Sequence, residues 1–408
     1  MREFTLEKIY DVITVGAGAS GIICSIRAAE RGKSVLLLEK GDRPGRKILA
    51  SGNGRCNLMN CGTLKYYGDE AFAGKVFRKC SEQKLADYFR HLGLMTCTDS
   101  ENRVYPFSNQ SATVMNILKA AMEVNGVQFM NNSPVTAAVY DGKQFNVHIS
   151  TGKQFQSRKL VISCGGEAQP KLGGTRDGYQ ILESMGHSIA VTAPALVPLK
   201  TDRRSISGLS GIRAGCHVGI YSKDQLMHSE EGEILFTDYG VSGICIMQCA
   251  RFVHENQAWL EIDFLHRIRF GEEELFKEIK RHREMYRNLS PVILMDGILA
   301  EKISYAVLKQ AGIPMKGEKA GDLNDDNLRR IIYTASHYRI NITGTRGFDY
   351  AQVTSGGAEC SEFDPSTMSS RNIPGLYATG EVLNVDGDCG GYNLMFAFAS
   401  GLIAGEQI

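Results

Sequence analysis

Near the amino terminus, Gly16-Ala17-Gly18-Ala19-Ser20-Gly21 fits the pattern GxGxxG, and Glu39 follows eighteen residues after the last glycine. Residues of these types at this spacing can hold a dinucleotide. Gly16 permits a tight turn, Gly18 lets a pyrophosphate approach backbone with no Cβ in the way, and Gly21 lets the next helix pack closely. A helix start after the turn offers unpaired N–H groups and the positive end of its dipole to phosphates. A carboxylate at Glu39 can accept hydrogen bonds from an adenosine ribose. The chemistry requires the turn to lie between a strand and a helix. The flanks supply both: Asp11 to Val15 reads as a buried strand, Ser20 to Arg31 as a one-sided apolar helix, and Ser34 to Glu39 as a second strand.

Other candidate groups are weaker. The stretch from Gly41 to Asn60 is rich in glycine and asparagine and carries Arg43, Arg46, Lys47 and Arg55, so it reads as a long loop suited to lie over phosphates or a ring system. Cys56 and Cys61 have the spacing of a redox dithiol, but such chemistry also needs a nicotinamide domain and a carboxyl-terminal histidine. Only one GxGxxG is visible, and the last histidine is His337. Cys56 therefore reads first as a packing residue of the loop. His217, His228 and His254 lack ligand spacing, Cys245 and Cys249 sit one helical turn apart as core residues do, and no metal site is expected.

Composition sets the outer limits. The 408 residues suit two or three domains, and 46 Lys plus Arg against 45 Asp plus Glu leave no global field to gather nucleic acid or anionic lipid. No run approaches a membrane-spanning length and no signal peptide is evident, so a cytoplasmic protein with reduced thiols is expected.

Along the chain, residues 81–93 and 111–125 have helical spacing, 127–149 reads as short strands, and 160–163 as a further buried strand running into Gly165 and Gly166. Two prolines in 191–200 suggest a crossover between domains. Strand patterns continue to about 265, and a charged helical stretch follows over roughly 272–335. The carboxyl end repeats the pattern of the amino-terminal region, with a strand into Gly380-Glu381, a glycine-rich turn, and an apolar helix from about Tyr392 to Glu406. The fold class expected is α/β, with a discontinuous Rossmann-like domain (1–192 and 338–408), an inserted β-rich substrate domain (193–268 and 322–337) and a helical subdomain (269–321).

The runs GRKILASGNGRCNLMN (45–60), RVYPFSNQSATVM (103–115), SCGGEAQPKLGGTRDGY (163–179), GEILFTDYGVSG (232–243) and PGLYATGEVLNVDGDCGGYNLMFAFASG (374–401) resemble, in order, the BaiN/YhiN-type family of FAD-dependent oxidoreductases. The resemblance implies FAD, with Gly16, Gly18, Ala19, Ser20 and Gly21 at the pyrophosphate and Glu39 at the adenosine ribose. It implies Lys40, Arg46 and Lys47 near the cofactor, and Ser51, Gly52, Asn53, Gly54, Arg55, Cys56 and Asn57 beside the isoalloxazine. Val135 would meet adenine, Gly165, Gly166 and Asp177 would wall the cleft, Gly380 and Glu381 would bind the ribityl chain, and Gly391, Tyr392, Asn393 and Leu394 would present N–H groups to the flavin. The chain departs from the family pattern at Asp238 and Ile244.

Tyr239, Asp238 and Tyr392 are the acid-base candidates. The favoured activity is an NAD(P)H-driven reductase, with the nicotinamide bound transiently, acting on a small organic acceptor such as the enone of a 3-oxo bile-acid intermediate. An amine oxidase of aminoacetone type, a flavin disulfide reductase through Cys56 and Cys61, and an RNA-modifying flavoprotein are the alternatives. The charge balance argues against the last.

Overall fold

The computed structural model describes residues 8–253 and 258–408; His254 lies outside them. The chain divides into two units, one comprising residues up to Ala193 with Gln352–Ile408, the other Pro194–Ala351.

The first unit is built on a sheet in the order Gln128–Met130, Val35–Leu38, Ile9–Val15, Gln154–Ile162, Phe145–Ile149, Val135–Tyr140, with Leu376–Ala378 also pairing Gln154–Ile162. The ladders joining 9–15 to 35–38 and to 154–162, 35–38 to 128–130, and 154–162 to 376–378 are parallel. Such strands are covered on both faces and need near-continuous apolar sequence. Val35-Leu36-Leu37-Leu38 is buried at every residue. The last strand, Leu376–Ala378, completes the sheet from the far end of the sequence, so the expected discontinuous domain is what forms.

Two helices lie against each other in this unit, Ala19–Glu30 and Tyr392–Gln407. Their approach is set by glycine: a Cβ on Gly401 would stand 2.3 Å from the Ser20 carbonyl oxygen, and one on Gly405 would stand 2.7 Å from that of Cys24. The carboxyl-terminal helix is buried almost all round, as its sequence LMFAFASGLIAG requires.

The second unit is a closed barrel of Leu199–Thr201, Gly240–Ser242, Gln225–Phe236, Arg213–Ser222, Ala258–Asp263 and Tyr338–Thr345. Helices Glu272–Met285, Glu301–Gln310 and Asp325–Ser336 pack on one another beside it.

The observed boundaries differ from the expected ones in two places. Residues 338–345 belong to the barrel, because Tyr338, Ile340 and Ile342 alternate inward and the strand pairs with both 258–263 and 199–201. The return to the first unit therefore comes at Gln352. Residues 322–337, assigned to the β-rich domain, form a helix opened by a reciprocal Asn324–Asn327 capping box.

Gly401→Ala should lower stability by about 1–3 kcal/mol, since the new methyl meets backbone that cannot give. Chemical denaturation of the two proteins measures the difference, and equal midpoints would refute the close-packing account.

Candidate functional site

Of the three fingerprint glycines, two are demanded by the protein and one by what approaches it. Gly16 has φ +100°, and a Cβ there would lie 2.5 Å from the Ser163 carbonyl oxygen. At Gly21 a Cβ would lie 2.0 Å from the carbonyl oxygen of Gly16. Gly18 has an ordinary φ of −85°, and nothing lies within 4 Å of a Cβ built on it. It caps the helix Ala19–Glu30, and no side chain accepts a hydrogen bond from that helix start. An open face beside uncapped N–H groups fits a pyrophosphate.

Glu39 is fixed before any ligand arrives. One carboxylate oxygen accepts from Ala17 N at 2.8 Å and the other from Gly41 N at 2.7 Å. The Glu39 carbonyl accepts from Ser133 N at 2.8 Å, anchoring the chain two residues before buried Val135. Lys40 makes a half-exposed ion pair with Asp177 at 3.5 Å, and Arg46 donates to the Lys171 carbonyl at 2.6 Å.

A second network surrounds Glu381. Lys47 Nζ lies 3.1 Å from one carboxylate oxygen, and Thr354 N donates to the other at 2.8 Å. Thr354 Oγ1 accepts from Ala168 N at 2.9 Å, and a Cβ on Gly166 would stand 2.5 Å from that hydroxyl. Gly165, at φ +69°, passes within 4.0 Å of Lys47 Nζ, measured from a Cβ placed on it. The structure thus gathers Lys47, Gly165, Gly166 and Glu381 with Thr354, whose only sequence signal is the Gly356-Gly357 pair that follows it.

The stretch after Lys47 is not a plain loop: Arg46–Ala50 is helical and Ser51–Gly54 forms a single tight turn. Gly52, Asn53, Gly54 and Cys56 then all take positive φ, a conformation costly for Asn and Cys and typical of ligand-binding segments. Ser51 donates to the Ile48 carbonyl at 2.7 Å, and the Arg55 guanidinium lies 4.7 Å from the Tyr105 ring. Burial pushes the Cys56 thiol up to about 11, against a smaller lowering by Ser51. Cys56 is buried, Cys61 exposed, and both are free thiols. No activated dithiol is formed here.

Asn57 is buried, and its Oδ1 has no hydrogen-bond partner among the described residues. Facing it is Gly391 at φ +104°, where a Cβ would stand 2.6 Å from that oxygen. Gly391 starts the carboxyl-terminal helix with no side-chain cap. The Asn393 side chain is committed to both the N–H and the carbonyl of Gly387, each at 2.8 Å, so Tyr392, Asn393 and Leu394 offer backbone rather than side chains. Tyr392 is 6% exposed and its hydroxyl donates to the Thr63 carbonyl at 2.9 Å, which makes it a packing tyrosine rather than a proton donor.

Asp238 and Tyr239 belong to the barrel unit, Asp238 exposed and Tyr239 half-buried. The Tyr239 ring lies 4.0 Å from the Arg346 guanidinium. His217 is an exposed barrel-strand residue and His228 pairs with Glu230 at 2.7 Å, both structural.

One array has the connectivity of a hydrolytic triad without its function. His187 Nδ1 lies 2.6 Å from Glu362, and Nε2 lies 3.1 Å from Ser370 Oγ. That Oγ already accepts from Asn372 N and Ile373 N, each at 3.0 Å, and the imidazole is fully buried. It is a staple. Burial raises the Glu362 carboxyl, but hydrogen bonds from Ser188 and the His187 ring outweigh this and hold it below its ordinary value.

A glycine turn opening on a free helix start, an acid anchored at the second strand, and a glycine-led helix facing an orphaned amide oxygen define a flavoprotein oxidoreductase with a Rossmann FAD-binding domain. The family model described as "HI0933-like protein Rossmann domain" matches residues 10–407, and the chain belongs to that family. It is 32% identical to the 3-dehydro-bile acid delta(4,6)-reductase of Clostridium scindens, over 96% of this chain and 97% of the relative. It is 28% identical to the ribosomal RNA dihydrouridine synthase of Escherichia coli over 98% of both chains, and 28% identical to that of Haemophilus influenzae over 95% of this chain and 96% of the relative. Among the described residues no helix is long and apolar enough to cross a membrane.

Gly18→Ala should leave the stability of the FAD-free protein within about 0.5 kcal/mol of wild type, yet weaken FAD binding about tenfold or more (about 1.4 kcal/mol). Denaturation with flavin titration checks both halves, and undiminished FAD affinity would show that the open face is not the phosphate site. Because the Glu362 carboxyl is held low in the folded protein, its stabilisation is complete above the ordinary value of 4.5 and is lost as pH falls through the folded value. The stability gap between wild type and Glu362→Gln should therefore be constant just above pH 5 and shrink toward more acid pH, as read by denaturation at a series of pH values.

Proposed function

We propose that the protein is an FAD-dependent reductase that saturates a carbon–carbon double bond conjugated to a carbonyl in a small organic acceptor, with NADH or NADPH as the electron donor. The names of the relatives support this reading, because a delta(4,6)-reductase of a 3-oxo acid and a dihydrouridine synthase perform one chemistry on two acceptors. Each name denotes saturation of a carbon–carbon double bond conjugated to a carbonyl. Near-full-length coverage carries the argument for the whole chain rather than the nucleotide fold alone.

FAD, when bound, supplies the hydride-carrying ring. The chain's residues do the rest. Gly16 to Gly21 with Glu39 bind the adenosine diphosphate half, Glu381 held by Lys47 and Thr354 orients the ribityl chain, and the Gly391 helix start directs N–H groups at the ring. Tyr239 is the favoured acid-base candidate. Its hydroxyl carries no protein hydrogen bond among the described residues, whereas that of Tyr392 is spent on Thr63. The single dinucleotide fingerprint makes the nicotinamide a transient visitor.

A second reading, in which the acceptor is a uracil of ribosomal RNA, is favoured by the two synthases among the relatives. The formal charge of +1 supports the small acceptor instead.

In anaerobic stopped-flow on the yellow holoprotein, NADH or NADPH should bleach the flavin band and a conjugated enone should restore it. Colour returned only by oxygen after reduction with amines would replace the reductase by an oxidase. Colour returned by a uridine-containing RNA and by no enone would establish the second reading.

A further inference from the structure

Within the barrel unit three cysteines come together. Cys216 lies on strand Arg213–Ser222, and Cys245 and Cys249 lie one turn apart on helix Ile244–Cys249, which packs on that strand and on Gln225–Phe236. All three are buried. The meeting of Cys216 and Cys245 has a backbone cause. Cys216 pairs across the ladder with Gly232, and the side chains of such a pair share one face, with Cβ positions about 4.5–5.5 Å apart. Gly232 leaves its place on that face open, and Cys245 fills it: a Cβ on Gly232 would stand 3.1 Å from the Cys245 Cβ and 3.4 Å from its Sγ. The thiols of Cys216 and Cys245 are in hydrogen-bond contact there.

A pair of buried thiols in contact differs chemically from a single one. Burial pushes the Cys24 and Cys164 thiols up to about 12, which leaves them inert. In the pair, the Cys216 thiol donates to the Cys245 sulfur. That bond, helped by burial, raises Cys216; the same bond lowers Cys245 and outweighs the burial that opposes it. The N–H of Ile246 adds a second donor to the Cys245 sulfur, and the opposing carboxylate of Glu230 is tied to His228 at 2.7 Å. One sulfur therefore has the character of a nucleophile, and the other lies in contact with it as a resolving thiol.

We propose that Cys216 and Cys245 are a modification site that a small neutral peroxide closes to a disulfide, fastening helix Ile244–Cys249 to strand Arg213–Ser222. The Cys245 sulfur attacks one peroxide oxygen: an S–O bond forms, the O–O bond breaks, and the departing hydroxide takes up a proton and leaves as water. The Cys216 sulfur then attacks the sulfur of the Cys245 sulfenic acid. The S–S bond forms, the S–O bond breaks, and the hydroxide released takes the second thiol proton. The thiols together give up an electron pair, and hydrogen peroxide is reduced to water. Burial sets the size of the oxidant. With Cys216 at 0% and Cys245 at 1% exposure, a neutral molecule close to water in size reaches them through local opening, whereas a charged peptide disulfide such as oxidised glutathione does not.

The test treats folded holoprotein with hydrogen peroxide, quenches it in denaturant with N-ethylmaleimide, and maps the digest by tandem mass spectrometry. A peptide linking Cys216 to Cys245, lost on reduction with dithiothreitol, is the expected product. In Cys216→Ser, dimedone added with the quench should label Cys245; in Cys245→Ser, labelling of Cys216 should be about tenfold lower or less. Gly232→Ala, which crowds the Cys245 side chain, should slow the link about threefold or more. A link made through Cys249 would overturn the assignment, as would one formed only after urea has unfolded the protein. So would thiols at Cys216 and Cys245 that stay reduced through an exposure that fully converts the exposed Cys61 and Cys97. Equal dimedone labelling of the two serine variants would overturn Cys245 as the attacking sulfur, and oxidised glutathione making the link as fast as peroxide would overturn the choice of oxidant. Circular dichroism checks the folding of each variant, and the wild-type map depends on none of them.

Discussion

Around Ser20, four chain segments meet at backbone contact. Gly16 and Gly21 close the first turn against the end of the strand at Ser163, Gly380 passes 2.6 Å from Ser20 Oγ as measured from a Cβ placed on it, and Gly401 sets the carboxyl-terminal helix on the Ser20 carbonyl. Ser20 Oγ also donates to the Thr379 carbonyl at 3.3 Å, and Thr379 Oγ1 meets Ser163 Oγ at 2.7 Å. A Cβ at Gly16, Gly21 or Gly401 would have to move backbone, and one at Gly380 would meet the Ser20 side chain. Gly18 lies within this junction's first turn and Glu381 directly follows Gly380, so both candidate cofactor contacts are positioned by it.

The charged groups of the site follow the same logic of prior commitment. Glu39 has both oxygens satisfied by backbone amides, and Glu381 has one oxygen on Lys47 and the other on Thr354 N. Carboxylates fixed in this way do not have to reorganise when a ligand hydroxyl arrives, so the cost of ordering them is met at folding. The remaining acceptors and donors, Asn57 Oδ1 and the uncapped helix starts, are those that a ligand has to satisfy.

How much of this was legible in the sequence depended on whether the signal was local. The GxGxxG turn, Glu39 and the apolar carboxyl-terminal helix each carry their own pattern, and the structure has them where the spacing put them. The barrel membership of Tyr338–Thr345 was also written locally, in the alternation of Tyr, Ile and Ile with Arg and Asn, but it was outweighed by the likeness of the carboxyl end to the amino-terminal region. The helix Arg46–Ala50 escaped notice because glycines and asparagines on both sides mask five residues of helical spacing. Thr354 has no signature beyond the glycine pair that follows it, because its contacts with Glu381 and Ala168 exist only when segments distant in sequence are brought side by side. The hydrogen bond of the Tyr392 hydroxyl is likewise invisible locally: its partner, the Thr63 carbonyl, is 329 positions away.

The insertion of Pro194–Ala351 between the two parts of the first unit has a consequence for synthesis. Strand Gln154–Ile162 is covered along Gln154–Ser157 by its neighbour Phe145–Ile149, but Leu160-Val161-Ile162 is covered on that side only by Leu376–Ala378. At about 5–20 residues per second, a ribosome leaves that apolar edge without its partner for on the order of ten seconds or more while the barrel unit is made. The sheet is therefore completed after the barrel unit has been made, and the helix that starts at Gly391 joins it later still.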